Sequence, residues 1–267
     1  MDRQLLIICL LTASINLIGT LAYAARIAGI RTGRIAMSFA LFNLLVLVSR
    51  MSNSFLGPFL AKRVETGLAS GHGPDLAGDF RIVLASASVA VLLGILLVPS
   101  GQRMFTSAIG WFQRNRSTAR LILRTASPAG LSAVRHALKL PSTAHFKQFS
   151  RPKAAGWGML LGNVLAQALI TVGVLASLYA GYLNPEFRVT ASQLSAVVNG
   201  FATILLFALI DPQLSVMTDD VVEGRMSAVQ FRAVIVWVSF SRLVGTLAAQ
   251  AFFLPAAAAI AWIANYV

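Results

Sequence analysis

Only nine of the 267 residues are acidic, and none of these lies between Ile82 and Pro185. Cysteine occurs once, as Cys9, which excludes an intrachain disulfide and a cysteine-built metal site. The three histidines, His72, His136 and His145, share no helical spacing that would make them a ligand set. Charged residues of both signs make up 12% of the chain, about half the share of a globular domain. Against these scarcities stand 57% hydrophobic residues and a mean hydropathy of +0.75. A soluble globular domain is excluded, and an all-α integral membrane protein is expected.

Six apolar runs are long enough to cross a hydrocarbon core of about 30 Å: 4–25, 35–60, 81–99, 156–183, 192–210 and 233–263. The net charge of +13 does not point to nucleic acid, because the membrane distributes the basic residues. Fifteen of the 22 Lys and Arg fall in the first, third and fifth connections, and five fall at the N-terminus or in the other two. The positive-inside rule then makes those three connections cytoplasmic and both termini extracytoplasmic. Ala22-Tyr23-Ala24 would suit a signal-peptide cleavage site, but only Arg3 precedes the first run and three arginines follow it, the flank of an anchored helix.

The third connection, 101–155, interleaves ten basic residues with Phe105, Ile109, Trp111, Phe112, Leu121, Leu131 and Leu138. This pattern predicts amphipathic helices on an anionic phospholipid surface, broken at Pro128 and Pro141, with a solvated basic loop that only fixes topology as the alternative. Three short signals also recur in order: Asn16/Thr20, Gly33-Arg34 and Ser49-Arg50, then Asn199/Thr203, Gly224-Arg225 and Ser241-Arg242. They suggest a parallel internal repeat in which spans one and two correspond to spans five and six, with Arg50 and Arg242 as counterparts.

Arg50 is the sole ionisable residue in the 27 from Ile35 to Ala61, and Arg242 is similarly embedded in the sixth run. A cation at that depth costs at least about 2.5 kcal/mol and marks a functional path. No Asp or Glu lies within a span to pair with either. Helical spacing places Asn43, Arg50, Asn53, Ser54 and Gly57 on one face of the second run. Similar polar stripes occur as Thr12, Asn16, Thr20 and Tyr23; as Asn163, Gln167 and Thr171; as Ser192, Ser195, Asn199 and Thr203; and as Ser239, Arg242, Thr246 and Gln250. Interhelical hydrogen bonding explains a single stripe. Two unpaired arginines call for an anionic ligand, above all a phosphate or diphosphate held in the guanidinium fork. The expected contacts are Arg50, Arg242, Asn43, Asn53, Asn16, Asn199 and Thr246. Gly57-Pro58 and Pro255 are expected to interrupt the two arginine-bearing helices, and Gly158 with Gly162 to serve packing.

The acidic residues gather in DPQLSVMTDDVVEG as Asp211, Asp219, Asp220 and Glu223. Asp219 and Glu223, four apart, could share a metal on one helical face. Alternatively Thr218 caps a short helix with an acidic first turn, or the stretch pairs with Arg26, Arg31 or Arg34, making these residues coupling or gating elements.

LAYAARIAGIRTGRIAMSFALFNLLVLVSRMSN, Leu21 to Asn53, together with DPQLSVMTDDVVEG and SRLVGTLAAQ, resembles the Amj family of alternate lipid II flippases. The resemblance implies a bacterial cytoplasmic-membrane transporter of lipid II, undecaprenyl diphosphate bearing a disaccharide pentapeptide, working in peptidoglycan synthesis without a cofactor. Two other readings stand beside it. One is a membrane enzyme acting on a lipid phosphate with Asp211, Asp219 and Asp220 at a metal; the other is a scaffold that recruits partners through its basic region. Self-association is left open.

Overall fold

A computed structural model describes residues 2–70, 75–117, 120, 121, 123, 127–138 and 154–267. Among them there is no strand. The long helices are α1 (Arg3–Thr32), α2 (Ile35–Ser70), α3 (Leu76–Asn115), α5 (Trp157–Leu183), α6 (Arg188–Leu205) and α8 (Ala228–Ile263), with a short α4 (Pro128–Ala137) after the third. A single π turn, Leu206–Ile210, joins α6 to α7 (Asp211–Val222). Counting α6 to α7 as one, six helices are long and apolar enough to span a membrane. The protein is therefore multi-pass.

Local chemistry sets the ends. The Asp2 carboxylate accepts the Leu5 N–H at 2.8 Å to start α1. Gly33 ends it at φ 64°, a left-handed conformation that suits glycine, with the Arg34 N–H reaching Gly29 O at 3.0 Å. Ser227 and Gln230 form a reciprocal capping box at α8. Thr218 lies inside α7 and donates to Leu214 O, so it is no cap; the acidic first turn belongs to Asp211. Pro58, Pro99 and Pro255 all lie within continuous helices, so the expected interruptions in α2 and α8 are absent. Membrane-spanning helices tolerate such prolines. The real irregularity comes just before Pro212, whose missing N–H removes a helical bond to Ala208; Asp211 N–H bonds Leu206 O instead, five residues back.

Residues 101–115, expected to begin the interfacial region, continue α3, and Phe105 and Ile109 are buried against α1 and α2. A helix starts at Pro128 as expected. The remainder of the basic region from 139 to 153, including Pro141, lies outside the described residues.

Each half of the chain contributes three helices in the same pattern. The first helix of each half, α1 or α5, packs along both the second (α2 or α6) and the third (α3 or α8), and the third helices meet each other. This does not match the suggested parallel repeat. Spans one and two lie side by side, whereas α6 packs on α5 and scarcely touches α8.

Close approach holds each triplet. A Cβ added at Gly94 of α3 would lie 2.7 Å from Thr20 Cβ on α1, and one at Gly245 of α8 would lie 2.6 Å from Val164 O on α5. Small residues permit such contacts where lipid-facing helices gain little from hydrophobicity. Gly162 makes ordinary contact with Leu209, but Gly158 faces open space, so its assignment to packing is corrected.

The apolar interior is single at one end and divided at the other. At the end carrying the termini, Leu5, Leu60, Phe80, Val172, Phe253 and Ile260 belong to one cluster drawn from α1, α2, α3, α5 and α8. At the opposite end two clusters form. Leu41, Phe105 and Ile109 pack with Ala24 and Ala28, while Met159, Ile210, Leu214, Phe231 and Val234 pack with Tyr23 and Ile27. Helix α1 has one face in each.

An ion triad locks the undivided end. Buried Arg63 of α2 contacts Asp79 of α3 at 2.6 Å and Asp2 at 2.7 Å. Removing one partner from a buried cation is strongly destabilising. Asp79→Asn should cost about 2–3 kcal/mol and lower the thermal midpoint in detergent, whereas exposed Asp219→Asn should not; equal midpoints would refute this role for the triad. The Leu5 N–H, then Arg63, hold the Asp2 carboxyl below the ordinary carboxylate range. Its contribution is thus present above the unfolded value of about 3.9 and is lost as pH falls from there through the folded value.

Candidate functional site

Arg242 projects from the middle of α8 onto α1. Its Nη2 donates to Asn16 Oδ1 at 3.5 Å, and the Tyr23 hydroxyl also faces the guanidinium. The Asn16 amide is oriented from behind, because its Nδ2 donates to Thr12 O at 3.0 Å and leaves Oδ1 for the arginine. Thr20 in turn donates to Asn16 O at 2.9 Å. Gly19 provides the space: a Cβ there would stand 2.5 Å from Arg242 Nη2. Nε of Arg242, Oγ1 of Thr12 and Oγ of Ser239 are buried without a partner among the described residues. A cation has been brought to the bundle centre with neutral acceptors, no carboxylate and unused donor capacity. This arrangement can hold an anion.

A buried amide network lies beside it. Asn163 of α5 donates to Val238 O at 3.0 Å and Ser241 Oγ at 2.8 Å, and Gln167 donates to Asn163 Oδ1 at 3.4 Å. It fixes α8 in the turn just before the arginine, so the Asn163/Gln167 stripe serves the interface between α5 and α8.

Arg50 is placed differently. Ser38 Oγ donates to Ala25 O and Gln4 Nε2 to Phe59 O, two pairs in one antiparallel register that sets Arg50 near the level of Ala13. It is thus about one helical turn from Asn16 in depth. However, the backbones of α2 and α8 do not approach closely among the described residues, and Arg50, Asn43, Asn53 and Ser54 are all exposed. The two arginines occupy unlike environments at similar depth and are not packing counterparts. Asn199 sits against α5, where its Oδ1 would meet a Cβ at Gly173 at 2.8 Å. Thr246 is buried and donates to Leu243 O at 2.9 Å.

At the divided end, Arg26 bridges the two branches. Its Nη2 is 3.0 Å from Asp211 Oδ1 of α7, and its guanidinium lies 5.0 Å from the ring centroid of Phe39 on α2. Of the weighed partners for the acidic stretch, Arg26 is the one that meets Asp211. Arg225 pairs with Asp220 at 2.7 Å and with Glu223. Asp219 is exposed, and no group of three or more metal-ligating residues occurs among those described. Arg31 and Arg34 are exposed at the turn between α1 and α2.

Sequence reasoning missed Gly19 and the Arg63 triad. The signal for Gly19 was its place one turn after Asn16 and one before Tyr23, a gap in that polar stripe.

The family model described as Amj, Alternate to MurJ, matches residues 11–264. A Bacillus subtilis (strain 168) protein named lipid II flippase Amj is 37% identical over 269 residues, covering 99% of this chain and 97% of the relative. No solved structure matches the chain. The match spans both triplets of helices and the arginine seam between them, and the chain belongs to the Amj family.

Proposed function

We propose that this protein carries lipid II, undecaprenyl diphosphate bearing a disaccharide pentapeptide, from the inner to the outer leaflet of a bacterial cytoplasmic membrane. Beside the family membership, the observation that carries the mechanism is Arg242, a central guanidinium with spare donor capacity and no carboxylate. The diphosphate docks on Arg242, with Asn16 and Tyr23 as neighbours, while the polyprenyl chain stays in lipid. Bidentate pairing suits arginine and a diphosphate. Arg50, with Asn43 and Asn53 on the exposed face of α2, gives the headgroup a second polar surface near the same depth. Thr246 and Asn199 brace the helices beside it. The divided end is the loading side, and Arg26 with Asp211 gates it by joining the branches. Alternating exposure of the seam moves the headgroup across.

In this orientation both termini are extracytoplasmic. On a background lacking Cys9, cysteines at Thr66 and Tyr266 should react with an impermeant thiol reagent in intact cells, and one at Ser132 only after permeabilisation. The reverse pattern would overturn the orientation.

The function is tested by expressing the chain in cells depleted of their main lipid II flippase and measuring precursor on the outer leaflet. Restored exposure with growth is expected. Expression without exposure would sink the proposal. Metal-stimulated phosphate release by the purified protein would favour an enzyme, although Asp211, Asp220 and Glu223 are each engaged by arginine.

A further inference from the structure

A cleft of about 500 Å³ opens at the divided end, lined by Arg34, Met37, Phe112, Gln113 and Arg116. It lies where the turn entering α2 meets the end of α3. Its polar lining consists of two guanidinium groups and one amide, with no carboxylate. No acidic residue occurs in the sequence from Ile82 to Pro185, so the α3 side brings none. Met37 and Phe112 add an apolar wall shared with the α1, α2 and α3 cluster.

Arg116 has φ 44°, the one non-glycine residue with positive φ among those described. Its N–H bonds Phe112 O at 2.7 Å, so the chain turns sharply there and holds the arginine at the cleft. This is a left-handed cap that ends α3, a position glycine usually takes and arginine fills here.

The geometry points to a second anion site, at which Arg34, Arg116 and Gln113 hold the phosphate of a membrane lipid while Met37 and Phe112 meet the start of its apolar part. Guanidinium and amide donors match phosphate oxygens. Position selects a lipid over a soluble phosphate, because Arg34 immediately precedes a helix long and apolar enough to span a membrane, and cations at such helix ends meet lipid headgroups. The site is separate from Arg242. It rests on the flippase reading only for one of two sources of the phosphate: the diphosphate of the transported lipid or the headgroup of a bulk anionic phospholipid.

The test uses the full chain in phosphatidylcholine nanodiscs doped with undecaprenyl diphosphate or with phosphatidylglycerol, counting retained lipid by native mass spectrometry. Arg34→Gln with Arg116→Gln should lower retention about ten-fold, because both guanidinium groups are exposed and solvent screening leaves each contact worth only about three-fold. Arg103→Gln, which removes one exposed charge from α3 outside the cleft, should not. Loss of diphosphate alone identifies the transported lipid as the source, loss of phosphatidylglycerol alone identifies bulk lipid, and loss of both shows a general lipid-phosphate site. Unchanged retention of both, or an equal loss in Arg103→Gln, would overturn the assignment. Should the double variant fail to fold, each single variant should lower retention about three-fold, and unchanged singles would be equally decisive. No transport is measured, so a chain that retains these lipids but exposes no lipid II would sink the flippase reading and leave this site standing.

Discussion

Arg242→Gln should reduce outer-leaflet exposure of lipid II by at least about a hundred-fold while the protein still inserts and purifies normally. The partner-poor guanidinium is costly to bury, so its removal should leave stability unchanged or improved. In transport the loss is of two charge-assisted contacts to a diphosphate, each worth about 1.5–3 kcal/mol. Arg242→Lys keeps the charge without the fork and should retain intermediate activity. Gly19→Ala should act in the same direction, because the new methyl displaces Nη2 while leaving the charge in place. Arg50→Gln should have a smaller effect, since that side chain stands on an exposed face. Exposure and expression measured together across this series decide the matter. A well-expressed Arg242→Gln that transports like wild type would remove the cationic seam from the mechanism while leaving the family assignment intact.

Gly245→Leu should abolish the folded protein. Even an alanine there brings a Cβ within 2.6 Å of Val164 O and 2.7 Å of Gln167 Cβ, atoms that cannot rotate away. Overpacking of this kind costs about 1–3 kcal/mol for one methyl. Gly245→Ala should therefore lower the thermal midpoint, and leucine should force α5 and α8 apart and break the Asn163 bridge to Ser241. Gly57→Ala, where nothing lies within 4 Å, should be neutral. Size-exclusion profiles and melting curves report both, and a stable Gly245→Leu would refute the close approach.

Much of the architecture was legible because hydropathy over about 20 residues is a local signal. The six spans follow from such signals, and the break at Pro128 from proline itself, whereas the Arg26 pairing was one of three alternatives weighed for the acidic stretch. What escaped depended on helices meeting in space. Arg63 finds Asp2 and Asp79 only when α1, α2 and α3 stack, so the sequence shows three ordinary interfacial charges. The helices continue through Pro58, Pro99 and Pro255 against local proline propensity, as membrane-spanning helices tolerate. The π turn is the converse, a backbone shift beside Pro212 without its own hydrophobic period. Within the site, Asn16 and Arg242 were readable as embedded polar residues. Their contact was not, because 226 positions separate them.

A bundle with one undivided end behaves as a lever. Phe80, Tyr179 and Phe253, with ring centroids 5.2–6.2 Å apart, make a stiff fulcrum close to the termini. Each arm beyond it is about 20 residues long, or roughly 30 Å, so a rotation of about 10° would carry the tips by about 5 Å, near the width of a phosphate group. Among the described residues, the ion pair between Arg26 and Asp211 is the salt bridge that ties the arms there. Parting the aromatic end would instead dismantle packed rings and the Arg63 triad together. Mechanical resistance is therefore unequal at the two ends of the bundle.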